Sequence, residues 1–79
     1  MKNAVETIID IIKSHVYMLN LAMKNNEKEA FERFRHETMG MLICLKNIDE
    51  CDRFYCINFY DDSVEFGYYD QEHTWNIIK

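Results

Sequence analysis

The chain has no proline and only two glycines, Gly40 and Gly67, so few positions favour a sharp turn. Long elements joined by short connections are therefore expected. The chain also lacks a long apolar run, because Asp10, Lys13 and further polar residues interrupt the stretch 8–23, and this excludes a transmembrane helix. Glu6 and Asp10 lie inside the first apolar segment, so we expect no secretory signal.

Cysteine is scarce and odd in number: Cys44, Cys51 and Cys56. An odd count without an export signal is typical of a reducing compartment, so we predict a cytoplasmic protein. Cys51 and Cys56 have the spacing of a loose zinc-ligand pair, which Cys44 and His73 would complete. However, Cys44 is expected in a helix core and Cys56 within a strand, and no second close pair exists. We therefore predict no metal ligands and keep a metal-binding regulator as a third interpretation.

Motifs of known catalytic sites are also absent. The sequence contains no glycine-rich phosphate loop, no nucleophile elbow and no helix with paired zinc-binding histidines. A chain of 79 residues forms a single domain, 1–79, with little interior to spare for a pocket. We therefore predict no enzymatic activity, no catalytic residue and no cofactor.

The first element predicted is a helix over residues 4–24, with Asn3 as its N-terminal cap and Glu6 completing a capping box. Apolar residues recur every three or four positions along two neighbouring lines. Such a wide apolar face predicts two packing partners, a second helix and either a sheet or a second copy of the chain. We therefore predict a homodimer through this helix. The two lines are Val5, Ile9, Ile12, Val16, Leu19 and Met23, and Ala4, Ile8, Ile11, His15, Met18 and Ala22.

His15 lies on the second line and is expected to be a partly buried structural histidine without a carboxylate beside it.

Residues 27–47 form the second predicted helix, capped by Asn26, and its short connection to the first forces an antiparallel hairpin. Gly40 within this helix indicates close helix approach or a local bend. Its inward face is predicted to carry Ala30, Phe31, Phe34, Thr38, Met41, Leu42, Leu45 and Ile48.

The last part of the chain is rich in aromatic residues: eight of the eleven lie between Phe54 and Trp75. This enrichment favours strands, predicted at about 54–60, 64–69 and 74–78. If the first turn is centred on Asp61 and Asp62, one face of the hairpin carries only apolar or aromatic residues. That inner face consists of Tyr55 opposite Tyr68, Ile57 opposite Phe66, and Phe59 opposite Val64.

A third strand would place Trp75 and Ile77 on the same inner face. The predicted fold class is therefore α+β: an antiparallel helical hairpin followed by a two- or three-stranded antiparallel meander packed on it. The opposite face of the sheet would expose Phe54, Tyr60 and Tyr69, with a shallow dent at Gly67 opposite Cys56.

Charge is divided unevenly along the chain. Residues 1–48 carry seven basic and six acidic residues, a net charge of +1, and residues 49–79 carry two and eight, a net charge of −6; together these give −5. The aromatic half would therefore repel nucleic acid, and we expect no direct nucleic-acid binding and no membrane binding. The same half would suit a basic partner protein.

Our leading hypothesis is a small cytoplasmic protein–protein interaction module without catalytic activity that associates with itself. The alternative is an acidic inhibitor of a nucleic-acid-handling host protein, with Asp61, Asp62, Glu65 and Asp70 competing for a basic groove. In its general type, a short acidic chain without catalytic motifs, the sequence is similar to many small phage and mobile-element proteins that bind host factors. The residues predicted to contact a partner are Phe54, Asn58, Tyr60, Asp61, Asp62, Glu65 and Tyr69.

Overall fold

The computed structural model of the chain describes residues 2–49 and 53–79. Two helices, α1 (Ala4–Lys24) and α2 (Lys28–Ile48), form a packed pair. Three strands follow, β1 (Phe54–Phe59), β2 (Val64–Tyr69) and β3 (Trp75–Ile77), in the sheet order β1-β2-β3 with antiparallel neighbours. The predicted α+β class, with a helical hairpin packed on a three-stranded antiparallel sheet, is confirmed. Neither helix is long and apolar enough to cross a membrane.

Asn3 caps α1 as predicted, although the Glu6 side chain does not return the second bond of a capping box. The Asn3 side chain accepts a hydrogen bond from the backbone N–H of Glu6 at 2.8 Å. Ile12, Val16 and Leu19 of the first apolar line are buried, and the helix contacts both α2 and β2. The wide apolar face of α1 thus has two packing partners within one chain.

The turn between the helices differs from the prediction. Asn26 does not cap α2, because it has a left-handed backbone with φ 57° and ends α1 instead. The N–H of Asn26 donates to the carbonyl of Met23 at 3.2 Å, and the N–H of Glu27 donates to that of Ala22 at 2.8 Å. These two bonds form a Schellman motif, in which asparagine tolerates the left-handed position. Helix α2 therefore begins at Lys28, and its preceding residue Glu27 makes no side-chain cap.

Two expectations for α2 are wrong, and one of the two interpretations of Gly40 is excluded. Cys44 and Gly40 are exposed, because they lie four residues apart on the side of the helix away from the buried Leu42 and Leu45. No atom comes within 4 Å of the position that a Cβ on Gly40 would take, so this glycine does not mark close helix approach. Ile48, in the last turn, is 41% exposed rather than inward-facing.

The predicted register of the first hairpin is confirmed at each of its three inner pairs. Tyr55 lies opposite Tyr68, Ile57 opposite Phe66, and Phe59 opposite Val64. Four of these six residues are buried, and Tyr68 is partly buried against the core. Phe59 differs, being 42% exposed at the end of β1, where its ring meets the edge of the Phe31 ring at a centroid distance of 6.3 Å.

Strand β3 presents the opposite face from the one predicted. Trp75 pairs with Tyr69 and Ile77 with Gly67, and residues directly opposite each other in a sheet share a face. Trp75 and Ile77 therefore lie on the face away from the helices, while Ile78 packs against the core. The turn before β3 decides this register. It is closed by the N–H of Asp70 donating to the carbonyl of Thr74 at 3.2 Å, and His73 within it has φ 61°.

Candidate protein-binding surface

The face of the sheet turned away from the helices is called here the outer face. Of the seven predicted contact residues, five lie together on or beside it, because Phe54 pairs with Tyr69, Asn58 pairs with Glu65, and Tyr60 follows directly after β1. Asp61 and Asp62 lie in the turn beyond the end of the face rather than on it. The outer face consists of Phe54, Cys56, Asn58, Tyr60, Glu65, Gly67, Tyr69, Trp75 and Ile77.

One end of the outer face is a line of three aromatic residues across the three strands, called here the aromatic row: Phe54, Tyr69 and Trp75. The Tyr69 and Trp75 rings pack at a centroid distance of 4.9 Å. Phe54 is 60% exposed, and the Nζ of Lys46 lies 4.5 Å from its ring centroid. A cation of the chain itself therefore already sits on this aromatic surface, as expected for an electron-rich ring.

The middle of the outer face contains no dent at Gly67. Gly67 does lie opposite Cys56, as predicted, but the Trp75 ring fills the space above it. A Cβ at Gly67 would stand 2.8 Å from two carbon atoms of the indole. The surface at this point is consequently a continuous apolar layer rather than a hollow. The enclosed indole N–H of Trp75 has no hydrogen-bond partner among the described residues.

The opposite end of the outer face is polar, and with the adjoining turn it is called here the hairpin end: Asn58, Tyr60, Asp61, Asp62 and Glu65. The N–H of Tyr60 donates to the carbonyl of Ser63 at 2.8 Å and closes the turn. Partial desolvation raises the pKa of the Tyr60 phenol, and the neighbouring Glu65 carboxylate raises this pKa further. This end of the outer face therefore presents a phenol beside a carboxylate.

Asp70 does not belong to this acidic end. Its Oδ1 accepts hydrogen bonds from the backbone N–H groups of Glu72 at 2.9 Å and Thr74 at 3.0 Å, and its Oδ2 accepts from the side-chain amide of Asn76. The bond from the Thr74 backbone, followed by that from Asn76, lowers the pKa of Asp70. Its carboxylate is committed to the β2–β3 turn, whereas the sequence suggested a role in partner binding.

His15 has the carboxylate neighbour that the sequence did not indicate. Its Nε2 lies 3.2 Å from the Oε2 of Glu37 on α2, and its Nδ1 lies 2.9 Å from the carbonyl oxygen of Ile11. The Phe34 ring meets its edge at a centroid distance of 5.8 Å. These contacts tie α1 to α2 and account for His15 as a structural residue of the helix pair.

The structure also gives a role to Asn20 of α1, a polar residue that the sequence pattern did not single out. The Asn20 side chain accepts a hydrogen bond from the N–H of Val64 at 2.8 Å and donates one to its carbonyl at 3.0 Å. Asn20 therefore pairs with β2 as a neighbouring strand would, at a position that β3 does not reach. Its polarity gave no signal of this, because a polar residue beside an apolar line usually faces water.

Metal-binding and pocket geometry add no second candidate. Among residues 2–49 and 53–79, no group of three or more His, Cys, Asp or Glu side chains is placed to hold a metal ion. Cys51, part of the zinc hypothesis, lies outside these ranges. A hollow of about 360 Å³ beside the turn between the helices, lined in part by Met23 and Phe31, lies away from the outer face.

Comparisons with protein-family models, with curated protein sequences and with solved structures found no significant match.

Proposed function

We propose that this chain is a small cytoplasmic protein–protein interaction module without catalytic activity, and that its outer face contacts the partner. The observation that carries the proposal is the uncovered aromatic surface of the sheet. Both helices pack on the other face, which leaves Phe54 60% and Ile77 45% exposed beside Tyr69 and Trp75. Aromatic residues, tyrosine above all, are enriched where proteins bind one another, because they combine a large contact area with a polar tip.

The proposal is tested by affinity capture from a lysate of the cells that contain the protein. The bait variant is Phe54→Ala, and the matched control is Ile43→Ala, because Ile43 on α2 has the same 60% exposure. A partner retained by the wild type and the control but lost with Phe54→Ala supports the outer face as the contact surface. A partner lost with Ile43→Ala and retained with Phe54→Ala contradicts it.

An acidic inhibitor of a nucleic-acid-handling protein is the second candidate, favoured by the hairpin end. Asp61 and Asp62 are exposed and make no hydrogen bond or ion pair within the described part of the chain. Carboxylates that are not paired internally are available to basic groups of a partner. A captured partner that binds nucleic acid and is released at moderate salt would favour this candidate.

We also propose that the interaction module forms a homodimer through α1. Tyr17 is 67% and Leu21 38% exposed, and because they are four residues apart they adjoin on the side of α1 away from the core. Other apolar residues of α1 are buried or pack against the core, namely Val5, Ile8, Ile9, Ile12, Val16, Leu19 and Met23. Self-association through α1 would therefore depend on this pair and on Ile11.

A further inference from the structure

We propose that the outer face receives an extended, basic segment of the partner, with its cationic side chains at the hairpin end and its apolar side chains on the aromatic row. This inference rests on the proposed function, since it names the partner chemistry of the same surface. The two ends of the outer face differ: the aromatic row is apolar, whereas Asp61, Asp62 and Glu65 place three carboxylates at the hairpin end.

Charge decides between a basic partner and a second copy of the chain. Each chain has a net charge of −5, and residues 49–79 alone carry −6. Two outer faces brought together would add like charges at a desolvated contact, which disfavours pairing. A basic segment would instead be attracted to the face and would neutralise it.

The two ends of the aromatic row differ in what a partner segment can contact. Lys46 of the same chain lies over Phe54 at 4.5 Å, which shows that the row accommodates a cation at its β1 end. The β1 end of the row is thus already occupied by a cation, and the rest of the row is the β3 end, where Trp75 packs on Tyr69. The partner's apolar side chains are therefore expected over Tyr69 and Trp75, next to the cation that is already present.

The spacing of the two ends defines the segment. Glu65 and Tyr69 are four residues apart on β2 and lie on the same face. At about 3.4 Å per residue, the Cα atoms of Glu65 and Tyr69 are about 14 Å apart. A segment that runs extended along β2 spans this separation with four residues, whereas a helix would need about nine. The segment therefore carries a cation at position i and apolar side chains at i+2 and i+4.

In the test, the synthetic peptide Arg-Ser-Arg-Ser-Leu-Ser-Leu is titrated into the labelled full chain. Binding is followed by nuclear magnetic resonance of the chain. Trp75 is the one tryptophan of the sequence, so its indole N–H signal reports directly on the aromatic row. We expect this signal and the amide signals of β1 and β2 to shift on titration. The shifts should weaken as salt is raised, because exposed charges are screened. Two comparison peptides are Glu-Ser-Glu-Ser-Leu-Ser-Leu, which reverses the charge, and Leu-Arg-Ser-Arg-Ser-Ser-Leu, which changes the spacing.

Two double variants distinguish the effect of the hairpin-end carboxylates on binding from the effect of net charge. Asp62→Asn with Glu65→Gln removes two carboxylates of the hairpin end, and Glu6→Gln with Glu29→Gln removes two exposed carboxylates from the helices. The first pair should bind the basic peptide about twofold to fivefold more weakly per carboxylate removed. The second pair should bind it as the wild type does.

Each other outcome overturns the inference in a recognisable way. No response to the basic peptide, equal binding of the acidic one, or equal weakening by both double variants overturns the basic segment. Shifts of the outer face with chain concentration alone would make a second copy the occupant, and the outer face would remain an interaction surface. Partner capture that is unaffected by Phe54→Ala would instead remove the outer face as the contact surface, which is the part of the proposed function on which this inference rests.

Discussion

The indole ring of Trp75, on β3, lies directly over Gly67 on the neighbouring strand β2. A Cβ on Gly67 would stand 2.8 Å from the Cζ2 and Cη2 atoms of the ring, and closer still to the backbone carbonyl of Asn76. Because a backbone atom is one of the obstacles, a change of side-chain rotamer cannot relieve the contact. This glycine allows β3 to lie close to β2 and the tryptophan to cover the middle of the outer face.

Gly67→Ala is accordingly expected to destabilise the fold by about 1–3 kcal/mol, the usual cost of overpacking. The substitution should also move Trp75, so its fluorescence spectrum should change in the folded state. Urea unfolding followed by circular dichroism and by tryptophan fluorescence would measure both effects.

Gly40→Ala is the matched control, since the same substitution is made where a Cβ meets no atom within 4 Å. In the middle of α2 it should stabilise the protein by about 0.5–1 kcal/mol, because alanine loses less backbone freedom than glycine on folding. If both variants changed stability in the same direction, the packing account of Gly67 would be wrong.

Asn20→Ala should destabilise the protein by about 1–3 kcal/mol, because it leaves the N–H and the carbonyl of Val64 without their side-chain partner in a buried position. Asn20→Asp should retain the bond from the Val64 N–H but lose the one to the carbonyl, since a carboxylate cannot donate. Chemical unfolding at neutral pH would measure the loss. Asn47→Ala, at an exposed position on α2, serves as the comparison and should change stability little.

The Asp70 carboxylate should make the free energy of unfolding depend on pH. Its pKa is lowered in the folded state from a usual value of 3.8, first by the Thr74 backbone hydrogen bond. The stabilisation is therefore fully present above the unfolded-state pKa and is lost as the pH falls through the folded-state pKa. Asp70→Asn removes this contribution, so its stability should fall less steeply than that of the wild type below pH 3.8.

Unfolding curves at a series of pH values would measure the effect as the difference between Asp70→Asn and the wild type. The difference is needed because the pKa values of Asp10 and Glu32 are also lowered, by hydrogen bonds from Lys2 and Arg35. Parallel stability curves for the two proteins across this range would show that the Asp70 bonds do not act in solution.

Tyr17→Ser with Leu21→Ser should reduce self-association without unfolding the chain, because both residues are exposed on α1. Light scattering over a wide concentration range would compare the mass of the variant with that of the wild type. A wild type that remains monomeric throughout would remove the homodimer proposal. A dimer that the double variant leaves intact would place the contact elsewhere.

The first hairpin could be predicted because its information is local. With the turn at Asp61 and Asp62, alternation along two adjacent strands allows one register that gathers all apolar residues on one face, and this register is observed. The third strand has three residues, too few for alternation to choose a face. Its register depends instead on the Asp70 turn and on the space above Gly67, and sequence pattern alone assigned Trp75 to the wrong side.

The sequence by itself determined the two helices, the antiparallel hairpin between them and the inner face of β1 and β2, because periodicity and short connections depend on neighbours along the chain. Only the tertiary structure decided that Asn20 completes the sheet, that Asp70 is committed to a turn, and that Trp75 joins Phe54 and Tyr69 on the outer face. Each of these depends on residues distant in sequence meeting in space, where hydrogen-bond geometry and the absence of one Cβ determine the arrangement.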